Sequence, residues 1–132
     1  MLNLFPIQWL ALLAYFVLRL FVGGILLFLA RSHFHAYREL VITSTCPFFP
    51  KQPLPVILII VIETVLGTMF LVGIFTQVAC LGLVLLSLTM LWWRNRFTHP
   101  SIPSALVYII LIGCSLSLFI TGAGMFAFDL PI

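Results

Sequence analysis

Residues 8–30 read QWLALLAYFVLRLFVGGILLFLA, a continuous apolar run with one charged side chain, Arg19. About 20 such residues are what a helix needs to cross the hydrocarbon of a bilayer. Pro6 stands just before the run, and Trp9 near its start suits a membrane interface. The run reads as a transmembrane helix, and Arg19 is the residue in it that needs a reason.

The rest of the chain sets the same solvent. Its 132 residues are 64% hydrophobic and 7% charged, with a mean hydropathy of +1.30. A soluble domain carries about 25% charged residues, so this chain cannot clothe a water-facing surface. It is expected to be an integral membrane protein and a single domain over residues 1–132. At roughly 20 residues per span plus loops, four spans fit and five do not. The net charge of +3 rests on few side chains and gives no sign of nucleic-acid binding. The opening MLNLFPIQW lacks a basic region, and no A-x-A site follows, so the first apolar segment is expected to stay as a span. Cys46, Cys80 and Cys114 are too few for a disulfide framework.

Four spans follow, at about 8–30, 55–75, 77–93 and 104–121. Prolines at 47, 50, 53 and 55 exclude a helix from the first loop. FTQ alone separates the second span from the third, which makes them a tight antiparallel hairpin. The third ends at LWWRNR, and the fourth stops at TGAG, where glycine can supply a left-handed cap. Apolar runs this continuous do not alternate as barrel strands do. The expected fold is all-α: an integral membrane four-helix bundle, antiparallel, up-down-up-down.

The loops differ in charge. Loops one and three hold Arg31, Arg38, Lys51, Arg94 and Arg96, while the termini and loop two hold no Lys or Arg. The positive-inside rule then places loops one and three in the cytoplasm and both termini outside, in a multi-pass protein of the cell (inner) membrane.

Depth suggests a partner for Arg19. It stands roughly 18 Å from the interface at Arg31, and Glu63 roughly 12 to 15 Å from the same interface, at 1.5 Å per residue. An Arg19–Glu63 pair between spans one and two is therefore expected, since a lone charge at the bilayer centre costs at least about 2.5–3.5 kcal/mol. Tyr15 and Gly23 share the face of Arg19, and Tyr15 could donate to the carboxylate. Gly67 lies four residues past Glu63, and small residues let helices approach closely. Two readings stand: an ion pair that sets helix register, and a polar site for a headgroup, proton or small ligand.

A second set, His33, His35, His99 and Cys46, gathers at the cytoplasmic end. Its spacing is poor for a metal, because His33 and His35 would point to nearly opposite faces of a helix, and no metal is expected. A histidine that handles a proton or a quinone-like headgroup is the alternative, with His99 and a first-loop histidine preferred. The serines of spans three and four are expected to bond backbone carbonyls or join helices, and Gly113–Ser117 to form a small-residue packing face. No nucleotide-binding loop, nucleophile elbow, CxxC or dinucleotide fingerprint is present.

LRLFVGGILLF, then a His/Arg segment, then ETVLGTMFLVGIFTQ, then a closing ITGAGMFAFDLP: in this order the chain resembles the DoxX family of small four-span membrane proteins, DoxD-like relatives included. The resemblance covers nearly the whole chain. It rests on Arg19 and Gly23 in span one, on Glu63, Gly67 and Gly73 in span two, and on the closing Thr121, Gly122, Gly124 and Asp129. It departs after span one, where the family usually has a lysine and this chain has His35 and Arg38. Members often carry a basic residue after the closing aspartate or in loop two; this chain has neither, and the loop charges decide the expected orientation.

The resemblance implies work near membrane redox chemistry. Relatives are linked to terminal oxidases, to thiosulfate:quinone oxidoreductase and to oxidative-stress assemblies. The expected function is an accessory subunit of a quinone- or sulfur-linked membrane redox assembly. It would not be catalytic alone, and quinone is the candidate cofactor. The expected surroundings are the lipid bilayer, a membrane or redox-enzyme partner and a candidate homo-oligomer, with no nucleic acid. The alternatives are a small transporter or lipid-like-ligand binder, and an assembly factor with no chemistry.

Overall fold

Backbone without water must satisfy its own hydrogen bonds, and the apolar runs of this chain do so as helices. The computed structural model describes residues 5–43, 53–94, 100 and 102–121. Five helices make up nearly all of this: α1 (Phe5–His35), α2 (Tyr37–Thr43), α3 (Leu54–Val72), α4 (Thr76–Trp93) and α5 (Ala105–Thr121). There is no strand among the described residues.

Two boundaries differ from the sequence reading. The first helix was expected to end at residue 30, yet α1 runs 31 residues, to His35, or about 46 Å at 1.5 Å per residue. Arg31 and the residues after it signal polarity, but none removes a backbone donor, so the helix continues. It breaks only at Ala36, and even there Ala36 N–H donates to Ser32 O at 3.1 Å and Leu40 N–H to Ala36 O at 2.9 Å. The sequence reading placed no helix over α2. The second span was expected to reach residue 75, and α3 stops at Val72. Gly73 takes the left-handed conformation (φ +76°) and its N–H caps Met69 O at 2.8 Å, a common helix ending. Phe75 also has positive φ (+50°). The chain thus reverses over 73–75 and enters α4.

Helix α1 packs chiefly on α3, and α4 on α5; α3 with α4 and α1 with α5 close the ring. Three approaches fix the α1–α3 register: Arg19 beside Gly73, Gly23 against Gly67, and His33 on Glu63. Numbers rise along α1 as they fall along α3, so the two are antiparallel, as the short α3–α4 turn also makes that pair. Between α4 and α5, the Ser115 hydroxyl donates to Cys80 O at 2.8 Å. This is the interhelical role expected of the serines. The Gly113–Ser117 packing face is not formed within the bundle: Gly113 and Ser117 are exposed, and only Ser115 of that helix face is buried.

Surface and interior are inverted relative to a soluble protein. Leu10, Phe28, Trp92 and Ile120 are each more than 70% exposed, while Arg19, His33 and Glu63 are 2% exposed or less. Apolar side chains outside and charges inside identify lipid as the solvent. Helices α1, α3 and α4 are long and apolar enough to cross a membrane. Helix α5 is apolar and has 17 residues, the lower end of the spanning range of about 17–25. The molecule is a helical membrane bundle.

Candidate functional site

The α1–α3 seam carries three polar or small-residue contacts in sequence, and they decide which charges meet. In the middle, Gly23 and Gly67 press backbone to backbone. A Cβ on Gly23 would sit 3.0 Å from Gly67 O, and one on Gly67 would sit 3.3 Å from Gly23 O. The close approach expected at these glycines is present, and it lets short side chains reach across.

On one side of that contact lies Arg19. It is 1% exposed, and its guanidinium fills the space where Gly73 lacks a side chain: a Cβ there would lie 2.6 Å from Nη1 and 2.8 Å from Cζ. The carbonyl end of α3 carries partial negative charge, so a cation placed there is favoured. The ring of Phe16 lies 5.4 Å from the Arg19 Cζ, within cation–π range.

On the other side lies Glu63, 0% exposed. Its Oε2 receives the His33 Nδ1 at 2.8 Å. The expected Arg19–Glu63 pair is not formed. Gly73, which Arg19 touches, is ten residues along α3 from Glu63, about 15 Å at 1.5 Å per residue. The expectation fails because α1 does not end near Arg31 but continues to His35, and the register set at Gly23–Gly67 brings His33 level with the carboxylate. Tyr15 does not serve Glu63 either: it is half-buried, one turn beyond Arg19 on the side away from the carboxylate.

The remaining expected residues divide clearly. His33 joins the site. His35 does not: it is exposed, its ring edge-on to Phe34 with centroids 6.3 Å apart, and the opposed faces foreseen for the two histidines are what separates them. Thr121 closes α5, exposed, with its hydroxyl on Ser117 O at 2.6 Å. His99, Cys46, Gly122, Gly124 and Asp129 lie outside the described residues. No set of three metal-ligand side chains gathers among the described residues.

One buried polar side chain has no counterpart in the sequence reading: Tyr108 of α5 is 1% exposed. A single tyrosine within SALVYIIL is the signal that could have found it, since a buried phenol normally seeks a partner. Its hydroxyl, His33 Nε2 and Glu63 Oε1 make no hydrogen bond among the described residues. A cavity of about 10 Å³ lies beside His33, lined also by Leu40, Val56, Ile59, Met90 and Ile102. A second hollow, an apolar groove of about 570 Å³ between α3 and α4, is lined by Ile59, Gly82, Leu86 and Trp93 among others.

The site is thus an acid–base pair from α1 and α3, with Met90 of α4 lining the hollow beside His33. Such a group can accept, share or release a proton and can hydrogen-bond a polar ligand. No family model, curated protein or solved structure matches the chain.

Proposed function

We propose that this chain is an accessory membrane subunit of a quinone- or sulfur-linked redox assembly, not catalytic by itself. The redox part rests on the resemblance to DoxX-like proteins in the order and spacing of Arg19, Gly23, Glu63, Gly67, Gly73 and the closing motif. The observation that carries it structurally is the His33–Glu63 pair, fully buried in the bundle. Ionisable groups inside a membrane are costly and commonly mark ligand or proton sites. The groove between α3 and α4 adds to this reading. At about 570 Å³ it falls within the usual range of roughly 300–1,000 Å³ for small-molecule pockets, and its apolar walls suit an isoprenoid-like tail. Ile59 lines both the groove and the cavity beside His33, so a headgroup would lie near the pair.

The test is affinity purification from native membranes in mild detergent, followed by identification of co-purifying proteins and organic extraction of quinones. A redox-enzyme subunit or a stoichiometric quinone is the expected result. Recovery of neither, from membranes where the protein is intact, rejects the reading.

A proton-coupled transporter is the second reading. An arginine partner would hold Glu63 permanently ionised, but its partner is histidine, which can release its charge. Proton-linked substrate movement in liposomes, abolished by Glu63→Gln, would favour it.

A further inference from the structure

Charge must balance inside a bilayer, and this chain has few acids to balance it with. Arg19 is 1% exposed, and arginine keeps its proton in proteins. The acids of the chain are Glu39, Glu63 and Asp129. We propose that the C-terminal segment, residues 122–132, docks over the end of the bundle at the α3–α4 turn, with Asp129 as the counter-ion of Arg19. This goes beyond the redox-subunit reading and does not depend on it.

Charge accounting selects the acid. Glu63 is engaged by His33, and it stands ten residues along α3 from Gly73, which Arg19 touches. That is about 15 Å at 1.5 Å per residue. Glu39 is exposed on α2, beyond the far end of α1. The end of α3 and the ring of Phe16 both favour the cation, but a helix end supplies only about half a charge. A charge buried this fully is ordinarily met by a whole opposite one. Asp129 is the acid that remains.

Position and chain length agree with this choice. Helix α4 starts at Thr76, just past Gly73, and Cys80 lies one turn further in. Ser115 bonds Cys80 O, so α5, which ends at Thr121, ends at the same end of the bundle as Gly73 and Arg19. Helices α1 and α5 also touch, and the axes of packed helices lie about 8–10 Å apart. Asp129 follows Thr121 by eight residues, which span up to about 26 Å when extended. That is enough chain to turn and return to Arg19, and Gly122 and Gly124 are residue types that permit the turn. Composition agrees too. Residues 122–132 read GAGMFAFDLPI, with Asp129 the single charge. So apolar a stretch differs from the polar, charged chain that stays in water.

The experiment is solid-state NMR of the full chain in lipid nanodiscs. Asp129 is the only aspartate, so carbon-labelled aspartate marks one carboxylate, and nitrogen-labelled arginine marks the guanidinium groups. The expected result is dipolar dephasing of the aspartate carboxylate by guanidinium nitrogen. It should be lost in Arg19→Lys, which keeps the charge and removes the label. Where Arg19→Lys does not fold, lysine at Arg31, Arg38, Arg94 and Arg96 together must leave the dephasing intact. No dephasing in the wild-type protein, or dephasing that survives Arg19→Lys, overturns the proposal. So does a guanidinium nitrogen dephased by lipid phosphorus in place of the aspartate, which would give Arg19 an anionic headgroup instead. Co-purification reads the assembly and this measurement reads the chain alone, so either reading can fail without the other.

Discussion

The guanidinium of Arg19 occupies the volume that any side chain at residue 73 would claim: a Cβ on Gly73 would lie 2.6 Å from its Nη1. Glycine is required there twice over, because residue 73 also holds φ at +76°. Gly73→Ala must strain the turn and displace a buried charge. The left-handed conformation alone costs an L-residue about 1–2 kcal/mol, and the collision adds to it. Thermal unfolding in detergent, followed by helical circular dichroism, should show a clear drop. Gly24→Ala is the control: a Cβ there meets nothing within 4 Å, and alanine should be neutral or stabilising by up to about 1 kcal/mol.

Breaking the His33–Glu63 pair from one side leaves a buried group without its partner. His33→Leu or Glu63→Leu should each destabilise by about 3–5 kcal/mol, and the double variant by less than the sum of the two. Arg19 and Glu63 should show no such coupling, since the pair is not formed. Unfolding free energies for the two double-mutant cycles check both statements. Strong coupling between Arg19 and Glu63 would contradict the observed register.

The glycine contact sets that register. Gly23→Ala places a methyl 3.0 Å from Gly67 O, and Gly67→Ala places one 3.0 Å from the Leu27 side chain. Each should push α1 from α3 and cost about 1–3 kcal/mol, as overpacking does. A spin-label or cross-linking distance between the two helices should lengthen in either variant.

The α4–α5 pair depends less on any single polar contact. Ser115→Ala removes the hydrogen bond to Cys80 O. Interhelical hydrogen bonds in membranes average about 0.6 kcal/mol, so a small loss is expected. In the same protein, a maleimide should label the half-buried Cys114 faster than the buried Cys80, and Ser115→Ala should not reverse that order.

Composition and apolar run length by themselves determined that lipid is the solvent, that helices are the structure, and roughly where four of them lie. These follow from one-dimensional properties: hydropathy summed along the chain, and the positions of Pro and Gly. The glycines of the α1–α3 seam were legible for the same reason, since small residues are conspicuous in apolar runs. Only the tertiary structure decided which charges meet. Partner choice depends on the offset between α1 and α3. That offset comes from the Gly23–Gly67 contact and from α1 continuing past Arg31 to His35, neither of which polarity along the chain encodes. Arg19 was rightly singled out as a charge that needs an interior place, and the bundle gave that place beside Gly73, leaving Glu63 to a histidine.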